Sequence, residues 1–445
     1  MAAKKSPRTA KRSGASSHVR GLSGAARRIA ETTGKAPPPR PRAPKQRRAL
    51  TNVGGEAEIS GDAELAKVLG RALKVKADEE RTRRDVHGFH TYPARMHPDT
   101  AFRLVEALAP AAGRVLDPFC GSGTVLAEAR RAGCHAFGVD ANPLAVELSW
   151  LKTRGLAPRE RNELIDAAVA VRDHADTRRK KKQGATQRFP DADVQLFEPH
   201  VLLELDGLRD GIRQLPEGDM RRLLWLVLSS LIGKVSRRAA DTNADELPRR
   251  IGAGYTAKLF QRRTEELVKR MVAYGSTVPP RAPVAKVMVG DARDLSHVRD
   301  GGMDLIVSSP PYAGVYDYFD HHAARLRWLG LEARSFQARE LGSRRKLSAE
   351  PFAKALGRYQ QDLGAALGEM ARVLCVGGHL ALQVADSTLA QRAVHADRLV
   401  EQLAQDVGLT VAARAAQRRP HFHGASQRAF AGRPRAEHLL LLVRS

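Results

Sequence analysis

Two strand-like runs, each followed by apolar positions at helical spacing, come early in the chain. The runs are Arg114–Asp117 (RVLD) and 136–140 (AFGVD), and the helical patterns that follow them cover 123–132 and 142–152. A further helical pattern, with apolar residues three and four positions apart, precedes them at Pro98–Leu108. Strands that alternate with helices predict a parallel sheet with right-handed crossovers.

Strand-like runs return in the last third of the chain. They lie at 285–290, 303–308, 379–385, 409–413 and 438–443. A long helical pattern at 351–374 precedes the third of these runs, and Gly377-Gly378 is typical of a helix stop. The seven strand candidates predict an α/β fold, and the long connection between the last two predicts a terminal antiparallel hairpin.

Residues 153–280, between these two parts, carry helical patterns and no convincing strand. The clearest patterns cover 220–232 and 256–272. The basic stretch 178–188 (RRKKKQGATQR) has the composition of an exposed loop. We therefore expect a mainly helical insertion between the two halves of the sheet.

The first 60 residues differ in composition from the rest. Residues 1–50 hold 14 Lys and Arg against a single acidic residue, and they are rich in Pro, Ser and Gly. Such a segment buries too little apolar surface to offset its ordering entropy, which predicts a disordered basic arm with order beginning near Gly61. The arm either contacts phosphates, with an affinity that falls as salt rises, or remains a solvated tail.

Composition narrows the class of protein further. The chain has 445 residues, a net charge of +25 and 42% apolar residues, which predicts a sizeable core and attraction to polyanions. Three cysteines exclude a disulfide scaffold, and no Cys/His spacing indicates zinc. No apolar stretch predicts a signal peptide or a membrane span. We expect a cytoplasmic, nucleoid-associated protein that meets nucleic acid.

The strongest local motif is Asp117-Pro-Phe-Cys-Gly-Ser-Gly-Thr124, which lies between a predicted strand and a predicted helix. Gly121 and Gly123 allow a close backbone approach and a sharp turn into the helix. The motif is neither a Walker A loop nor a G-x-G-x-x-G fingerprint. The acid at the strand end favours a ligand with a cationic or amino-acid portion over a nucleotide phosphate.

Two more acids follow predicted strands. Asp140 could accept both hydroxyls of a ribose, and it could equally cap the helix that starts near Asn142. Asp291, in the sequence GDAR, could accept a hydrogen bond from an adenine amine. Because the carboxyl ends of parallel strands meet at one edge of a sheet, the three acids would line one crevice.

Ser309-Pro-Pro-Tyr312 ends the fourth predicted strand. The prolines stop the sheet and would leave carbonyl oxygens without a local partner, beside a hydroxyl and an aromatic ring. This arrangement suits a planar group that carries an amine. Taken alone, the same four residues would also fit a surface turn.

In this order, DPFCGSGT, GVD, GDAR and SPPY resemble the S-adenosylmethionine-dependent amino-methyltransferases of DNA, which methylate cytosine N4 or adenine N6. The stretches 89–96 (FHTYPARM) and 312–318 (YAGVYDY) are also similar to this family. The resemblance implies a Rossmann-like seven-stranded methyltransferase sheet. After the arm at 1–60, its first half would be 61–152, its insertion 153–280 and its second half 281–445.

The resemblance also implies roles for single residues. Asp140 would hold the ribose of S-adenosylmethionine and Asp291 its adenine. The residues implied at the methionine end are Tyr92, Asp117, Phe119, Gly121, Ser122 and Gly123. No metal is implied.

In the catalytic motif, Ser309 and the Pro310 carbonyl would accept hydrogen bonds from the target amine, Pro311 would stiffen the turn, and Tyr312 would stack on the base. The base would have to be flipped out of the duplex, because its amine cannot otherwise meet the cofactor.

Serine at position 309 favours cytosine N4 as the target, since aspartate or asparagine there tends to accompany adenine N6 in this family. Methylation of adenine N6 in DNA, an amine of RNA or tRNA, and a non-catalytic nucleic-acid-binding protein on a decayed methyltransferase fold remain alternatives. DNA is the expected partner, with RNA possible, and any cognate restriction enzyme is unknown. The insertion either reads the target, through residues 178–188 and Arg237-Arg238, or serves as a scaffold.

Overall fold

A computed structural model describes residues 55–75, 78–238, 250–420 and 424–444. Most of the predicted basic arm lies outside these ranges. Within them, no helix is long and apolar enough to cross a membrane.

Ten strands in two sheets lie within these described ranges. In chain order they are β1 (Glu58–Gly61), β2 (Arg114–Asp117), β3 (His135–Asp140), β4 (Lys286–Val289), β5 (Met303–Ser308), β6 (Leu374–Ala385), β7 (Ser387–Leu389), β8 (Arg392–Val394), β9 (Leu409–Arg418) and β10 (Ala436–Arg444). The large sheet has the order β1-β9-β10-β6-β5-β2-β3-β4, and β7 pairs with β8 alone. Strands β6, β5, β2, β3 and β4 are parallel, whereas β10, β9 and β1 pair antiparallel.

Helices fill the connections between the strands. They are Ala63–Leu73, Glu79–Thr82, Pro98–Leu108, Thr124–Arg131, Pro143–Thr153, Pro158–Lys180, Asp191–Leu196, Pro199–Gln214, Asp219–Val235, Tyr255–Gly275, Tyr318–Leu329, Arg334–Arg339, Arg344–Ser348, Phe352–Val373, Ala396–Gln405 and Gly424–Ala429, with a 3-10 helix at Asp85–Gly88.

The large sheet has eight strands where the sequence pattern predicts seven. The additional strand, β1, lies within the segment predicted as the arm, so order begins before Gly61. All four of its residues are exposed, which is why no apolar alternation marks them. Backbone pairing with β9 holds this strand at the edge of the sheet.

Two other boundaries differ from the pattern. The long helix ends at Val373 and β6 begins directly at Leu374, so Gly377 and Gly378 lie inside a strand rather than stopping a helix. Helix Pro158–Lys180 continues into the basic stretch, so the exposed loop begins only at Lys181.

The order of the strands creates one crevice. From β2 the chain proceeds outward through β3 to β4, and it then returns to place β5 on the other side of β2, followed by β6. Ligands of open α/β sheets bind where the strand order reverses in this way, outside the carboxyl ends of the strands. The fold is therefore Rossmann-like, with a terminal antiparallel hairpin as predicted.

The helical insertion shares a core with the sheet domain. Leu144, Leu148 and Leu151 of helix Pro143–Thr153 belong to the same buried cluster as Leu205 and Leu231 of the insertion. The cluster includes residues both of the predicted first half, 61–152, and of the insertion, 153–280, so these two parts do not have separate cores. In the part of the chain that the structure describes, the insertion contains no strand.

The turn after β2 contains one glycine whose substitution should lower the stability of the fold. Gly123 has a φ of 76°, and a Cβ there would lie 2.7 to 2.9 Å from atoms of Ser149. We expect Gly123→Ala to lower the free energy of unfolding by about 2 kcal/mol or more, since left-handed backbone costs about 1–2 kcal/mol before any clash.

Gly357→Ala is the matched control, because Gly357 is exposed within helix Phe352–Val373 and nothing lies within 4 Å of its added Cβ. Chemical denaturation should show the control to be more stable by about 0.5–1 kcal/mol. Equal stability of the two variants would contradict the expected packing of the turn.

Candidate functional site

An open cavity, the large cavity, lies at the carboxyl ends of β2, β3 and β5. Its walls are formed by Tyr92, Ala94, Pro118, Phe119, Gly121, Asp140, Ala141, Asn142, Asp291, Ala292, Ser309, Pro311, Tyr318, Phe336, Arg339, Glu340 and Leu341. A second, smaller cavity adjoins it beneath the turn after β2. Its walls are Tyr92, Ala94, Arg95, Met96, Asp117, Phe119, Cys120, Gly121, Ser122, Thr124, Val125 and Ser309.

The buried Asp117 carboxylate closes β2 and lines the smaller cavity. Its Oδ1 accepts hydrogen bonds from the Ser308 hydroxyl at 2.7 Å and from the Phe119 amide at 3.1 Å. Burial raises the pKa of Asp117 to about 7. These contacts tie the end of β2 to the end of β5.

Asp140 joins the first turn to the end of β3. Its carboxylate accepts hydrogen bonds from the Gly121 amide and from the Asn142 amide, each at 2.8 Å. The cap of helix Pro143–Thr153 is the Asn142 side chain, which accepts from the Leu144 amide, so Asp140 is not itself the cap. Burial raises the pKa of Asp140 to about 6.

The two glycines of the turn have different surroundings. Gly121, with a φ of 51°, lines both cavities, and a Cβ there would lie 3.2 Å from the Tyr92 ring. Gly123 lines neither cavity, because it packs against Ser149. Only Gly121 therefore offers the close approach to a ligand that the sequence predicts for both.

Asp291 lines the large cavity but is already ion-paired. Arg293 donates to both of its carboxylate oxygens, at 3.0 and 2.8 Å, and also contacts Asp362. Although partial burial opposes it, hydrogen bonding from Arg293 lowers the pKa of Asp291. The carboxylate that was predicted to meet an adenine is thus held in place and kept ionised by its neighbour.

Ser309 and Pro311 line the large cavity, whereas Pro310 and Tyr312 do not. The hydroxyls of Ser309 and Tyr312 are 3.3 Å apart. The proline carbonyls are expected to lack a local partner, and the Pro311 carbonyl has a distant one, since it accepts a hydrogen bond from the Tyr359 hydroxyl at 2.9 Å. Helix Phe352–Val373, which carries Tyr359, lay too far away in sequence for local reasoning to foresee this contact.

Aromatic rings form one wall of the large cavity. The Tyr92 ring stacks on Tyr318, with centroids 6.2 Å apart, and on His322, with centroids 4.8 Å apart. Tyr318 was not predicted as a site residue, although the stretch 312–318 in which it lies was noted as similar to the family.

The loop after helix Arg334–Arg339 adds another wall that sequence reasoning missed. Glu340 and Leu341 line the large cavity, and the Glu340 carboxylate accepts from the Tyr318 amide at 2.5 Å and from the Phe319 amide at 3.2 Å. No sequence motif marks this loop, because its place at the cavity depends on tertiary packing.

Contacts from the insertion fix the segment that carries Tyr92. Arg263 donates to the Phe89 carbonyl, and His90 Nε2 lies 3.0 Å from the Ser229 hydroxyl. Elsewhere in the insertion, Arg178 forms an ion pair with Asp210, and Arg237 forms one with Glu198. Two of the arginines suggested for target contact are thus paired within the protein.

Asp386, Asp397 and His438 could each offer a ligand atom to one cation, and all three are buried. The Asp386 oxygens already accept from His438 at 3.1 Å and from the Ala396 and Ala436 amides at 3.0 Å each. Both oxygens of the Asp397 carboxylate accept hydrogen bonds from Arg433. The cluster therefore serves as an internal network that joins β6 to β10.

Comparisons with known proteins find similarity to methyltransferases of DNA. The family model N6_N4_Mtase, described as DNA methylase, matches residues 57–150. The Type II methyltransferase M.MvaI of Kocuria varians is 25% identical over 274 residues, which is 56% of this chain and 59% of that protein. The Type II methyltransferase M.MjaII of Methanocaldococcus jannaschii is 31% identical over 81 residues, 18% of this chain and 15% of that protein.

Among solved structures, TrmN from Thermus thermophilus aligns at a TM-score of 0.29 and 11% identity, over 79% of this chain and 49% of that one. This similarity is too low to bear on function. The chain spans less than two thirds of the length of each of the two curated relatives. The family match confirms the predicted resemblance to the amino-methyltransferases of DNA over residues 57–150.

The Asp291–Arg293 pair predicts a titration shift. Arg293→Met removes the donor that lowers the pKa of Asp291, and partial burial of the carboxylate then raises that pKa. Carboxyl ¹³C NMR should therefore show Asp291 titrating at higher pH in the variant. Arg299→Met, which changes an arginine with no contact to Asp291, should leave this titration unchanged; a shift there too would show that the effect is not local.

Proposed function

We propose that this protein transfers a methyl group from S-adenosylmethionine to the exocyclic amine of a flipped-out DNA base, with cytosine N4 as the target. The observation that carries the proposal is the position of Ser309, which lines both cavities beside Asp117, Asp140 and Asp291. The family match to DNA methylase over residues 57–150 supports the reaction class.

The large cavity suits the adenosine portion of S-adenosylmethionine. Asp140 lines this cavity, and an ionised carboxylate can accept hydrogen bonds from ribose hydroxyls. Asp291 lines the same cavity, and Arg293 keeps it ionised for an adenine amine. The Phe119 and Tyr92 rings offer apolar surface between them.

Ser309 would act on the target amine. The lone pair of an aromatic amine is delocalised into its ring, which makes the amine a poor nucleophile. An acceptor that holds an N–H bond out of the ring plane localises this pair, and S-adenosylmethionine supplies the electrophilic methyl group when bound. The Ser309 and Tyr312 hydroxyls lie 3.3 Å apart and either can donate to the other; in both cases the Ser309 oxygen keeps a lone pair that can accept that N–H.

The reaction is tested by incubating the full chain with radiolabelled S-adenosylmethionine and either duplex DNA or total RNA, followed by nucleoside digestion and mass spectrometry. N4-methylcytosine from DNA is the expected product. N6-methyladenine would be consistent with the same mechanism, but it would contradict the inference from Ser309 that cytosine N4 is the target. Label confined to RNA would show that the substrate is RNA rather than DNA. Cofactor binding without label in any mixed-sequence substrate would count against transfer to a base.

Removal of the Ser309 hydroxyl should slow methyl transfer with little effect on cofactor binding. We expect Ser309→Ala to lower kcat by about 100- to 1,000-fold, the usual effect of losing one positioned hydrogen-bonding group in an active site. Single-turnover methylation and calorimetry with S-adenosylhomocysteine measure the two quantities separately. The exposed Ser296 provides the control variant Ser296→Ala, and equal rates in both variants would exclude Ser309 from the chemistry.

Cofactor affinity should fall in mild acid. The pKa of Asp140 in the free protein is about 6, and its ionised form is the one that accepts from ribose hydroxyls. Binding should therefore weaken as pH falls through 6, approaching about tenfold per pH unit below it, because protonation then competes with the ligand. Asp140→Asn should bind weakly at pH 7 and lose the step near pH 6, so that the fall centred near pH 7, which protonation of Asp117 produces, is what remains. A step near pH 6 that persists in the variant would assign the titration to another group.

A further inference from the structure

One basic side chain beneath the turn after β2 is buried and, among the described residues, without a counter-charge, and burial lowers the pKa of its amine well below the ordinary value. Lys152, in helix Pro143–Thr153, is 1% exposed. No ion pair to a carboxylate is found for it among the described residues. Burying an ammonium group in this way is costly unless an anion compensates it, so the position calls for a reason beyond packing.

The ammonium group of Lys152 makes one contact that leads into the smaller cavity. Its Nζ donates a hydrogen bond to the Ser122 hydroxyl at 2.7 Å. Ser122 is itself 2% exposed, and it lines that cavity. Because its oxygen accepts from Lys152, the hydroxyl hydrogen is left to be donated elsewhere, and no acceptor for it is found in the described ranges.

A second cation borders the same space. Arg95 lines the smaller cavity, and among the described residues it donates to backbone carbonyls alone, those of His87 and of Thr82. The acid of this cavity, Asp117, takes its hydrogen bonds from Ser308 and Phe119, and within the same ranges it forms no ion pair with Arg95 or Lys152. The lining of the cavity thus includes one acid and one arginine, with Lys152 behind Ser122, and this arrangement is complementary to a zwitterion.

We propose that Lys152 is a positioning residue that makes Ser122 a donor to the α-carboxylate of the amino-acid portion of the cofactor. This inference rests on the proposed function, and the family resemblance of the sequence implies that the amino-acid portion lies at the turn after β2. Binding of the carboxylate would provide the anion that the buried ammonium lacks, while the α-ammonium group of the ligand would face Asp117. Lys152, which lies 30 positions beyond Ser122 in the chain, would then help to determine recognition of the amino-acid end of the cofactor.

The test compares two ligands that differ only in this carboxylate, S-adenosylhomocysteine and its decarboxylated form, S-adenosyl-3-thiopropylamine. Calorimetry on the full chain should show that the carboxylate strengthens binding by about 10- to 100-fold, the range for a hydrogen bond to a charged group. In Lys152→Met, which keeps a long apolar stem, and in Ser122→Ala, we expect this preference to be largely lost, with affinity for the amine changed less than about twofold.

Ser230→Ala is the matched control, because Ser230 is also a buried serine next to a buried cation, Arg263, but lies outside both cavities. It should keep the preference for the carboxylate. Loss of affinity for both ligands in equal measure, or no loss for either, in a folded Lys152→Met or Ser122→Ala variant would overturn the inference. Failure of the unsubstituted chain to bind either ligand would instead reject the proposed function on which the inference rests.

Discussion

The hydrogen bonds between the Asp140 carboxylate and the Gly121 and Asn142 amides are the constraint on which the site depends. They join the turn after β2 to the end of β3, and thereby fix the positions of the two cavities relative to the sheet. A backbone hydrogen bond from the Cys120 amide to the Val139 carbonyl, at 3.0 Å, reinforces the same join. A second link, from Ser308 to Asp117, attaches the end of β5 to the same turn. Three strand ends that are distant in sequence are thus connected before any ligand arrives.

Sequence reasoning could foresee those parts of the site that are local. The acids at strand ends and the Ser309 turn follow from alternation and motif, because each lies within a few residues of its strand. Tyr359, Glu340 and Lys152 could not be found in this way, since each reaches the site from an element whose position is set by tertiary packing. The missed strand β1 has no apolar pattern to detect, as backbone pairing rather than burial holds it.

The insertion cannot be treated as an appended module. Its helices bury the outer face of helix Pro143–Thr153, and its Arg263 holds the Phe89 carbonyl, three residues before Tyr92 in the chain. Substitutions in the insertion core would therefore alter the positions of the aromatic rings that line the large cavity. Any role in target recognition would be added to this structural role and would have to use its solvent-exposed surface.

The strand order also has a consequence for the growing chain. Strand β2 occupies the middle of the sheet, but β5, its neighbour on one side, is about 190 residues further along. During synthesis, the outer edges of β2 and β3 stay unpaired until the insertion has emerged from the ribosome, followed by β4, which pairs with β3, and β5, which pairs with β2. The insertion makes largely local helical contacts, which form quickly, whereas the central parallel pairing forms late. Early folding of the insertion against helix Pro143–Thr153 would give the nascent first half a partner during this interval.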